Sequence, residues 1–336
     1  MFTTKDKFIA LNRAQYGWRV EEMSEMNQYE LHVGDCIESM KKLPEQSVHT
    51  CVTSPPYYGL RDYGVDGQIG REETPEEYIQ KMVEVFREVR RVLRDDGTLW
   101  LNIGDSYASG GRKIRANDDK LQHRVVSVRP EAQGGAKQKD LLGIPWMLAF
   151  ALRADGWYLR QDIIWQKPNA MPESVRDRCT KSHEYVFLLS KSPRYFYDSE
   201  AIKEPSADPD GSAARYKHSF SGNNAAIGRD QTGRPQGDKE FDGKRNRRSV
   251  WTVNIKPFNG THFATFPPAL IEPCILAGCP AGGTVLDPFG GSGTTAGVAL
   301  AFGRDAVLCE LNPEYAALVP SRIESIASMY AKKAKS

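Results

Sequence analysis

The sequence predicts an α/β fold in which a mostly parallel β-sheet carries helices on both of its faces. Strand-like and helix-like segments alternate along most of the 336 residues, as in chains built from βαβ units. The run GTVLDPFGGSGTT ends a buried strand in a glycine-rich turn and leads into a helix pattern. Hydrophobic residues make up 40% of the chain and charged residues 26%, which is ordinary for a globular protein.

Local signals define the elements of the first half of the chain. The strand-like runs are YELHV, SVHTCVT, TLWLNI, WYLRQDIIW and EYVFLLS. The helix-like runs are CIESMKKL, TPEEYIQKMVEVFREVRRVL and IPWMLAFALRADG. In the second of these helices, Thr74 can cap the N-terminus, Pro75 suits the first helical position and Glu77 completes a capping box. We expect Gly97 to end this helical region before the next strand.

The second half of the chain continues the alternation. Its strand-like runs are GTVLD and DAVLCE, and its helix-like runs are PPALIEPCILAG, SGTTAGVALAFG and NPEYAALVPSRIESI. We expect the last of these to be one helix that opens on Asn312 and Pro313. In a sheet of this kind, ligands bind beyond the carboxyl ends of the strands, so functional residues should follow the strands.

Composition argues against several classes of protein. No apolar run is long enough to cross a bilayer, and the run MFTTKDKFIALNR lacks the apolar core of a signal peptide. The six cysteines include no CxxC pair, which favours a reducing compartment and therefore a cytoplasmic location. Cys274 and Cys279 could bind zinc with His262, but zinc sites usually show tighter paired spacing. We therefore predict no metal.

The distribution of charge is more informative than the net charge of +2. Basic residues, among them Arg112 and Lys113, crowd the region 107–140. A second stretch, rich in Pro, Gly, Ser and Asn, ends in KRNRR at 244–248. Both stretches have weak periodicity and are predicted to be long loops, which are usually functional or disordered. For each loop alone, solvated charge without a function explains the pattern equally well.

Three motifs fall at the ends of predicted strands: Gly34-Asp35, SPPY at 54–57 and DPFGGSGTT at 287–295. The glycines of the last motif allow a tight turn and a close approach of a ligand to the backbone. Glu310 ends the next strand, where an acid can accept hydrogen bonds from ribose hydroxyls. The pattern predicts a nucleoside-binding half-site. A dinucleotide site and a purely structural turn also fit, whereas a Walker loop would need a lysine before Thr294.

Two of these motifs carry a family resemblance. DPFGGSGTT followed by CELNPEY resembles the S-adenosylmethionine site of amino-group DNA methyltransferases, and TSPPY resembles their catalytic motif, [DNS]-P-P-[YFW]. The similarity extends through YELHVGDCIESMKKLPEQSVHTCVTSPPYYGLRDYG, RVLRDDGTLWLNIGDSY, DIIWQKPN, HEYVFLLSKSPRYFYD and THFATFPPALIEPCILAG. Because the catalytic motif precedes the cofactor loop, the order resembles the circularly permuted β group. The resemblance implies a Rossmann-like methyltransferase fold, with a mostly parallel seven-stranded sheet and one antiparallel strand.

The same resemblance implies a division of the chain. Residues 1–202 are expected to form the catalytic part of the methyltransferase domain, including the basic loop 107–140. Residues 203–255 are expected to be the variable target-recognition segment. Residues 256–336 are expected to form the cofactor-binding part of the same domain. The resemblance covers residues 1–27 and the basic loop less well, so their roles stay open.

For the cofactor, the resemblance implies a set of binding residues. Asp35 is expected at the adenine, Glu310 at the ribose and Phe266 near the methionine end. The remaining residues shape the pocket: Asp287, Phe289, Gly291, Gly293 and Thr294. Asp35 and Asp287 each precede a predicted helix, so a helix cap is an alternative role for both.

The catalytic motif has a chemical explanation. An exocyclic amine on a base is a poor nucleophile, because its lone pair is delocalised into the ring. The Ser54 hydroxyl and the Pro55 carbonyl can each accept a hydrogen bond from such an amine, and Tyr57, after Pro56, can stack on the base. The base must be flipped out of the duplex to reach them, and catalysis is then mainly in-line positioning. A cysteine nucleophile is not needed, and Pro273-Cys274 lies inside a helix pattern.

The expected substrate is therefore duplex DNA, methylated at the N4 amine of cytosine, since serine at position 54 is typical of that branch. The expected DNA contacts are Lys244, Arg245, Arg247, Arg248, Arg112 and Lys113. A cognate restriction endonuclease is a candidate partner, and the protein is expected to be a monomer or homodimer of bacterial, archaeal or phage origin. Alternatives are adenine-N6 methylation, a protein-amide methyltransferase and a catalytically dead DNA-binding relic. An NAD oxidoreductase is weaker, because it leaves TSPPY unexplained.

Overall fold

The structure is a computed structural model that describes residues 28–60, 63–108, 135–210, 212, 242–255 and 266–333. Arg112, Lys113 and His262, which the sequence places among candidate ligands of DNA or zinc, lie outside the described residues. By their contacts, the described residues form two compact units. The first contains the described residues up to 197 and those from 249 onward, and the second contains those between 198 and 248.

Every strand and helix predicted from the sequence has a counterpart in the structure, although the last predicted helix is divided. The strands are β1 Tyr29–Val33, β2 Val48–Thr53, β3 Leu93–Ile103, β4 Tyr158–Gln166, β5 His183–Ser190, β6 Glu204–Pro205, β7 Lys244–Arg245, β8 Val250–Thr252, β9 Thr284–Asp287 and β10 Asp305–Glu310. The helices are α1 Cys36–Met40, α2 Pro75–Val92, α3 Ile144–Ala154, α4 Pro268–Gly278, α5 Thr294–Ala301, α6 Pro313–Ala316 and α7 Val319–Lys333. Among the described residues, no helix has the length and apolar character needed to span a membrane.

The first unit contains one sheet with the strand order β1-β10-β9-β2-β3-β5-β4-β8. Among its described strands, only β5 runs antiparallel to its neighbours, which confirms the single antiparallel strand. The sheet has eight strands rather than the seven that the resemblance implies, because β8 pairs with β4. Trp251 of β8 is buried, with its ring 6.4 Å from that of Trp100. This tertiary contact stabilises β8. The strand has only 3 residues, which is too short to give a recognisable sequence pattern.

Helices pack on both faces of the sheet, as predicted. Leu99, Leu101 and Ile103 of β3 join the core formed with α1, α2 and α3. Trp100 points to the other face, where a Cβ added to Gly278 of α4 would lie only 2.6 Å from its indole nitrogen. Because successive side chains of a strand point to opposite faces, α4 lies on the face opposite α1, α2 and α3.

The carboxyl ends of β2, β9 and β10 lie side by side at one edge of the sheet. Leu308 of β10 is in register with Asp287 of β9, and β9 is bonded to β2 on its other side. Because β5 is antiparallel, its first residues lie at this same edge. Glu184 of β5 therefore pairs with Trp165, near the end of β4. This edge holds most of the candidate functional residues.

Helix α2 begins as the sequence predicts. The Thr74 hydroxyl accepts a hydrogen bond from the Glu77 amide at 3.2 Å, and the Glu77 carboxylate accepts one from the Thr74 amide at 3.3 Å. The end of the region differs from the prediction, because Gly97 lies within β3 and does not close the helix. Leu93 already pairs with β2, so the residues between it and Thr98 form an irregularity inside the strand.

The last predicted helix is divided into two, which corrects the expectation of a single element. Asn312 caps α6, and its side-chain oxygen accepts a hydrogen bond from the Glu314 amide at 2.8 Å. A proline disfavours one continuous helix here, because Pro320 lacks an amide hydrogen and its ring would crowd the Ala316 carbonyl. Pro320 instead occupies the first turn of α7, where no such hydrogen bond is required.

Candidate active site

A cavity lies where β1, β2, β9 and β10 end. Concave sites beyond the carboxyl ends of parallel strands are where folds of this class bind ligands. Most of the residues predicted for the cofactor or the target base line it: Asp35, Ser54, Pro56, Phe266, Asp287, Phe289, Gly291, Thr294 and Glu310. Pro55, Tyr57 and Gly293 are not among its lining residues.

The glycine-rich turn holds the carboxylate of Glu310 in place. Gly291 has a φ of 52°, a conformation that favours glycine, and its amide donates to Glu310 Oε2 at 2.8 Å. Glu310 Oε1 accepts a second hydrogen bond, from the Asn312 amide at 2.8 Å. Burial raises the pKa of Glu310 above its usual range. The carboxylate is thus fixed by backbone donors on the cavity wall.

Asp287 lies beneath the cavity and links three segments of the chain. It is 1% exposed and accepts hydrogen bonds from the hydroxyls of Thr53 and Thr295, each at 2.6 Å, and from the Phe289 amide at 3.1 Å. Burial raises the pKa of Asp287 to about 6, although these hydrogen bonds oppose the shift. The residue at the N-cap of α5 is Gly293, so the simple helix-cap alternative for Asp287 does not apply.

Gly293 and Thr294 connect the turn to α7. A Cβ added to Gly293 would lie 2.9 Å from Val319, so glycine allows the close approach of α7 to the start of α5. The Thr294 hydroxyl accepts a hydrogen bond from Arg322 Nε at 3.3 Å. The predicted role of Gly293 in shaping the pocket is therefore indirect, because the residue packs away from the cavity.

Asp35 combines the two roles that its sequence position allows. It is the N-cap of α1, and its Oδ1 accepts a hydrogen bond from the Glu38 amide at 3.0 Å. It also lines the cavity, so the cap alternative is confirmed without removing Asp35 from the candidate site.

Aromatic rings form much of the cavity wall. Phe266 and Phe289 were expected there, whereas Tyr63 and Tyr315 had no predicted role. The rings of these two tyrosines meet edge to face, with centroids 6.3 Å apart. The only sequence signal for Tyr63 is its position shortly after the SPPY motif, and Tyr315 lies in the CELNPEY run.

The composition of the cavity fits an adenosyl group. Flat rings suit the faces of adenine, and the carboxylates of Asp35 and Glu310 suit amino and hydroxyl donors. Ser292, also on the wall, has a buried hydroxyl with no hydrogen-bond partner among the described residues. Because buried polar groups are normally satisfied, this hydroxyl indicates room for a polar ligand atom.

The SPPY motif leaves β2 at the mouth of this cavity. The Pro56 carbonyl accepts a hydrogen bond from the buried Tyr78 hydroxyl at 2.9 Å. No described residue donates to the Pro55 carbonyl, which leaves this acceptor available. The Ser54 hydroxyl lies 3.4 Å from the hydroxyl of Tyr57 and donates to it.

A polar network behind Tyr57 was not predicted from the sequence. The Tyr57 hydroxyl donates to Glu184 Oε2 at 2.8 Å, and Asn102 Nδ2 donates to the same oxygen at 3.3 Å. Lys167 forms an ion pair with the other oxygen of Glu184. The available signal was a glutamate at the start of an otherwise apolar strand, in HEYVFLLS, but its partners are distant in sequence.

The remaining candidates lie apart from the cavity. Cys274 is buried inside α4, where its thiol donates to the Leu270 carbonyl at 3.6 Å, so the prediction that Pro273-Cys274 lies in a helix is confirmed. Within the described ranges, no group of three His, Cys, Asp or Glu side chains could hold a metal ion.

A family model described as DNA methylase matches residues 48–320. The chain belongs to the DNA methylase family. Type II methyltransferase M.SmaI from Serratia marcescens is 51% identical over 300 residues, covering 89% of this chain and 92% of the relative. M.Cfr9I from Citrobacter freundii is 50% identical over 303 residues, covering 90% of each chain. This DNA methylase is therefore an amino-group DNA methyltransferase, and its substrate class is DNA.

Solved structures agree with this placement. The Thermus thermophilus protein TTHA0409, complexed with S-adenosyl-L-methionine, is 25% identical with a TM-score of 0.54, covering 89% of this DNA methylase and 96% of that chain. PvuII DNA methyltransferase, which is cytosine-N4-specific, is 19% identical with a TM-score of 0.59, covering 91% and 95%. At that identity the second likeness establishes the fold alone. S-adenosylmethionine is the cofactor of this DNA methylase.

The second unit of this DNA methylase holds the basic cluster that the sequence predicts for DNA. Lys244 and Arg245 form β7, which pairs antiparallel with β6. Glu204 of β6 accepts hydrogen bonds from Arg245 Nε at 2.9 Å and Arg248 Nε at 2.7 Å. Arg247 also has an interaction partner. Arg245 and Arg248 are thus anchored by Glu204 of the same unit, and contact of the cluster with DNA stays a prediction.

Proposed function

We propose that this DNA methylase transfers a methyl group to the exocyclic N4 amine of a cytosine flipped out of duplex DNA. The observation that carries the proposal is the shared cavity. Ser54 and Pro56 of the catalytic motif line the same space as Phe289 and Glu310 of the cofactor turn. A base that reached the SPPY motif would therefore stand next to the cofactor.

The residues of the chain would act mainly by holding two reactants in line. When bound, S-adenosylmethionine supplies a methyl group on a sulfonium sulfur, which is already a good electrophile. Phe289, Asp35 and Glu310 would hold the adenosyl part against the cavity wall. The Ser54 hydroxyl and the Pro55 carbonyl would accept hydrogen bonds from the target amine and favour a pyramidal nitrogen. Alignment of this kind can supply effective molarities on the order of 10⁵ M.

Flipping of the target base follows from the depth of the motif. Ser54 is half-buried and Pro55 is buried. A base stacked inside a duplex could not bring its amine to these groups, as for other enzymes that modify bases. Tyr57 would then provide an aromatic surface for the extruded base.

Cytosine is preferred over adenine because a serine heads the motif. A neutral hydroxyl is a weaker hydrogen-bond acceptor than a carboxylate, since charged acceptors make bonds roughly twice as strong. It is also smaller than Asp or Asn. Adenine N6 is the second candidate, because N4 of cytosine and N6 of adenine present similar amino groups.

The proposal extends to the biological setting. The sequence from 203 to 255 would recognise the DNA site, with Lys244, Arg245, Arg247 and Arg248 near the phosphates or bases. The motif order supports a permuted methyltransferase domain, with catalytic and cofactor-binding parts on either side of that segment. Type II methyltransferases among the relatives support a role as the modification enzyme of a restriction–modification system.

The test is an assay with the purified protein, unmethylated DNA and S-adenosylmethionine labelled in the methyl group. After digestion to nucleosides, we expect the label in N4-methylcytosine. Label only in N6-methyladenine would contradict the choice of base and leave the rest of the proposal standing. Label in neither nucleoside, with protein that binds the cofactor, would contradict the proposed activity.

A further inference from the structure

A carboxylate ends the chain of hydrogen bonds that begins at the catalytic serine. Ser54 donates to the Tyr57 hydroxyl at 3.4 Å, and Tyr57 donates to Glu184 Oε2 at 2.8 Å. The first distance is long, as catalytic hydrogen bonds often are before the substrate binds. Glu184 reaches this position because the antiparallel β5 begins at the edge where β2, β3 and β4 end.

The carboxylate is held by charge and by hydrogen bonds. Lys167, at the end of β4, pairs with Glu184, and the two side chains are only 14% and 17% exposed. Asn102, at the end of β3, donates to Glu184 at 3.3 Å and to the Tyr185 carbonyl at 3.1 Å. Burying an ion pair removes the hydration of both charges, and their attraction must offset that loss. A buried ion pair therefore adds little to the stability of the fold, and stability does not explain its presence. Its position behind the catalytic motif indicates a functional reason.

The direction of these hydrogen bonds follows from the chemistry of the end group. An ionised carboxylate can only accept, so between Tyr57 and Glu184 the tyrosine is the donor. Asn102 Oδ1 lies 3.4 Å from the same hydroxyl, but the contact with Glu184 is the shorter, at 2.8 Å, and its acceptor is charged. The oxygen of Tyr57 is then left to accept from Ser54. Ser54 in turn donates its one hydrogen to Tyr57, so its oxygen can only accept a hydrogen bond from any other group. Burial, and then the charge of Glu184, raises the pKa of Tyr57, which keeps the phenol a donor.

We infer that Glu184 is a positioning residue that sets the hydrogen-bond direction through Tyr57, so that Ser54 presents an acceptor to the target amine. This inference rests on the proposed function. It also assigns Tyr57 a role distinct from stacking. The ring of Tyr57 is held from behind by Gly104, where an added Cβ would lie 2.7 Å from Tyr57 Cε2.

The experiment compares Glu184→Gln, Tyr57→Phe and the double variant in single-turnover methyl transfer, with cofactor and DNA at saturation. Glutamine has nearly the same shape as glutamate but can donate to Tyr57, which would reverse the direction of the chain. We expect each single variant to lose rate by roughly 10- to 100-fold, as for loss of one charge-assisted hydrogen bond. Cofactor affinity and the KM for DNA should stay within about twofold, since Tyr57→Phe keeps the aromatic ring and Glu184 would hold neither ligand.

The double-mutant cycle tests whether Glu184 affects the rate through Tyr57 or independently of it. If Glu184 acts only through Tyr57, the double variant should be no slower than Tyr57→Phe. Glu173→Gln is the matched control, because Glu173 also pairs with a cation, Arg178, and is not in the network. It should keep the wild-type rate.

Several results would overturn the inference. They are an unchanged rate in Glu184→Gln, an unchanged rate in Tyr57→Phe, or losses that multiply in the double variant. Tyr57→Phe removes one hydroxyl and keeps the ring, so it decides the matter even if Glu184→Gln fails to fold. A wild-type protein that labels no DNA amine would count against the proposed function instead.

Discussion

The hydroxyl of Thr53 donates a 2.6 Å hydrogen bond to Oδ1 of Asp287, although the two residues lie 234 positions apart in the chain. Thr53 immediately precedes the SPPY motif, and Asp287 immediately precedes the cofactor turn. Both side chains are buried. A single buried contact therefore ties the segment expected to hold the base to the segment that would hold the cofactor. We expect the SPPY motif and the cofactor turn both to depend on this contact.

Thr53→Val should lower both stability and activity. Valine keeps the shape of threonine but leaves Asp287 without one of its donors. Loss of a buried hydrogen-bond partner costs about 1–3 kcal/mol of unfolding free energy. Because the ends of β2 and β9 would also shift relative to each other, the rate of methyl transfer should fall at saturating cofactor. Urea denaturation and single-turnover kinetics measure the two effects.

Thr50→Val is the matched control for that prediction. Thr50 lies in the same strand, and its hydroxyl bonds to Thr98 at 2.9 Å, away from the cavity. It should lose similar stability and keep its rate of methyl transfer. Equal loss of rate in both variants would show that the effect of Thr53 is general destabilisation.

The raised pKa of Asp287 predicts a specific dependence of stability on pH. The usual pKa of this carboxyl is 3.8 and burial raises it to about 6, so between these values the folded protein binds more protons than the unfolded chain. Unfolding free energy should therefore decrease as pH rises through this window. Ionisation of the buried Asp287 should lower the unfolding free energy by on the order of 3 kcal/mol across this window. Asp287→Asn cannot ionise at this position, so its unfolding free energy should not show this decrease.

The measurement is urea denaturation of wild type and Asp287→Asn between pH 3.5 and 7, a range set by the two pKa values. We expect the variant to gain stability relative to wild type as pH rises, because only the wild type must ionise a buried carboxyl. Titrating groups away from Asp287 are shared and cancel in the comparison. Glu310 does not cancel, because the charge of Asp287 helps to raise its pKa, and Asp287→Asn removes that charge. A difference between the two proteins that stays constant over the range contradicts the assigned shift.

Cofactor binding and base binding should separate by mutation. Ser54→Ala and Tyr57→Ala should abolish methyl transfer while leaving cofactor affinity nearly intact, because these residues would act on the base. Glu310→Ala and Asp287→Ala should weaken cofactor binding, since the first removes a carboxylate from the cavity wall and the second loosens the turn. Calorimetry with S-adenosylmethionine measures all four. If Ser54→Ala loses the cofactor as severely as Glu310→Ala, the division is wrong.

The basic cluster should contribute to DNA affinity in a salt-dependent way. Replacing Lys244, Arg245, Arg247 and Arg248 together by alanine should weaken DNA binding and flatten the plot of log affinity against log salt. The slope should change by roughly 0.9 for each phosphate that the variant no longer neutralises. Arg94→Ala is a suitable control, because Arg94 lies near the amino end of β3, far from the cavity edge. An unchanged slope would show that the cluster is solvated surface charge that contacts no phosphate.

Local sequence signals predicted much of the fold. The capping box at Thr74 and the strand ends at Asp287 and Glu310 each depend on residues close together in the chain, so the sequence reveals them. Strand β8 was missed because its stability comes from Trp251 packing on Trp100, a contact between distant segments. Pro320 is a sequence signal for the division between α6 and α7, because proline disfavours a helix interior.

The candidate site shows the same limit. Most residues that line the cavity were predictable, because the turn and the next strand place them at consecutive strand ends. Glu184 was not, because its importance depends on β5 running antiparallel, which brings the start of that strand to Tyr57. The packing of α7 behind Gly293 was not predictable for a related reason, since it joins segments that local sequence signals do not relate.

We infer that one cavity joins the cofactor turn to a motif that presents a cytosine amine for methylation. The decisive experiment is mass spectrometry of nucleosides from the DNA of cells that express the wild-type protein or Ser54→Ala. We expect N4-methylcytosine with the wild type and none above background with the variant, at equal protein levels. DNA without N4-methylcytosine from cells with active, cofactor-binding wild type, or equal amounts with both proteins, would contradict it.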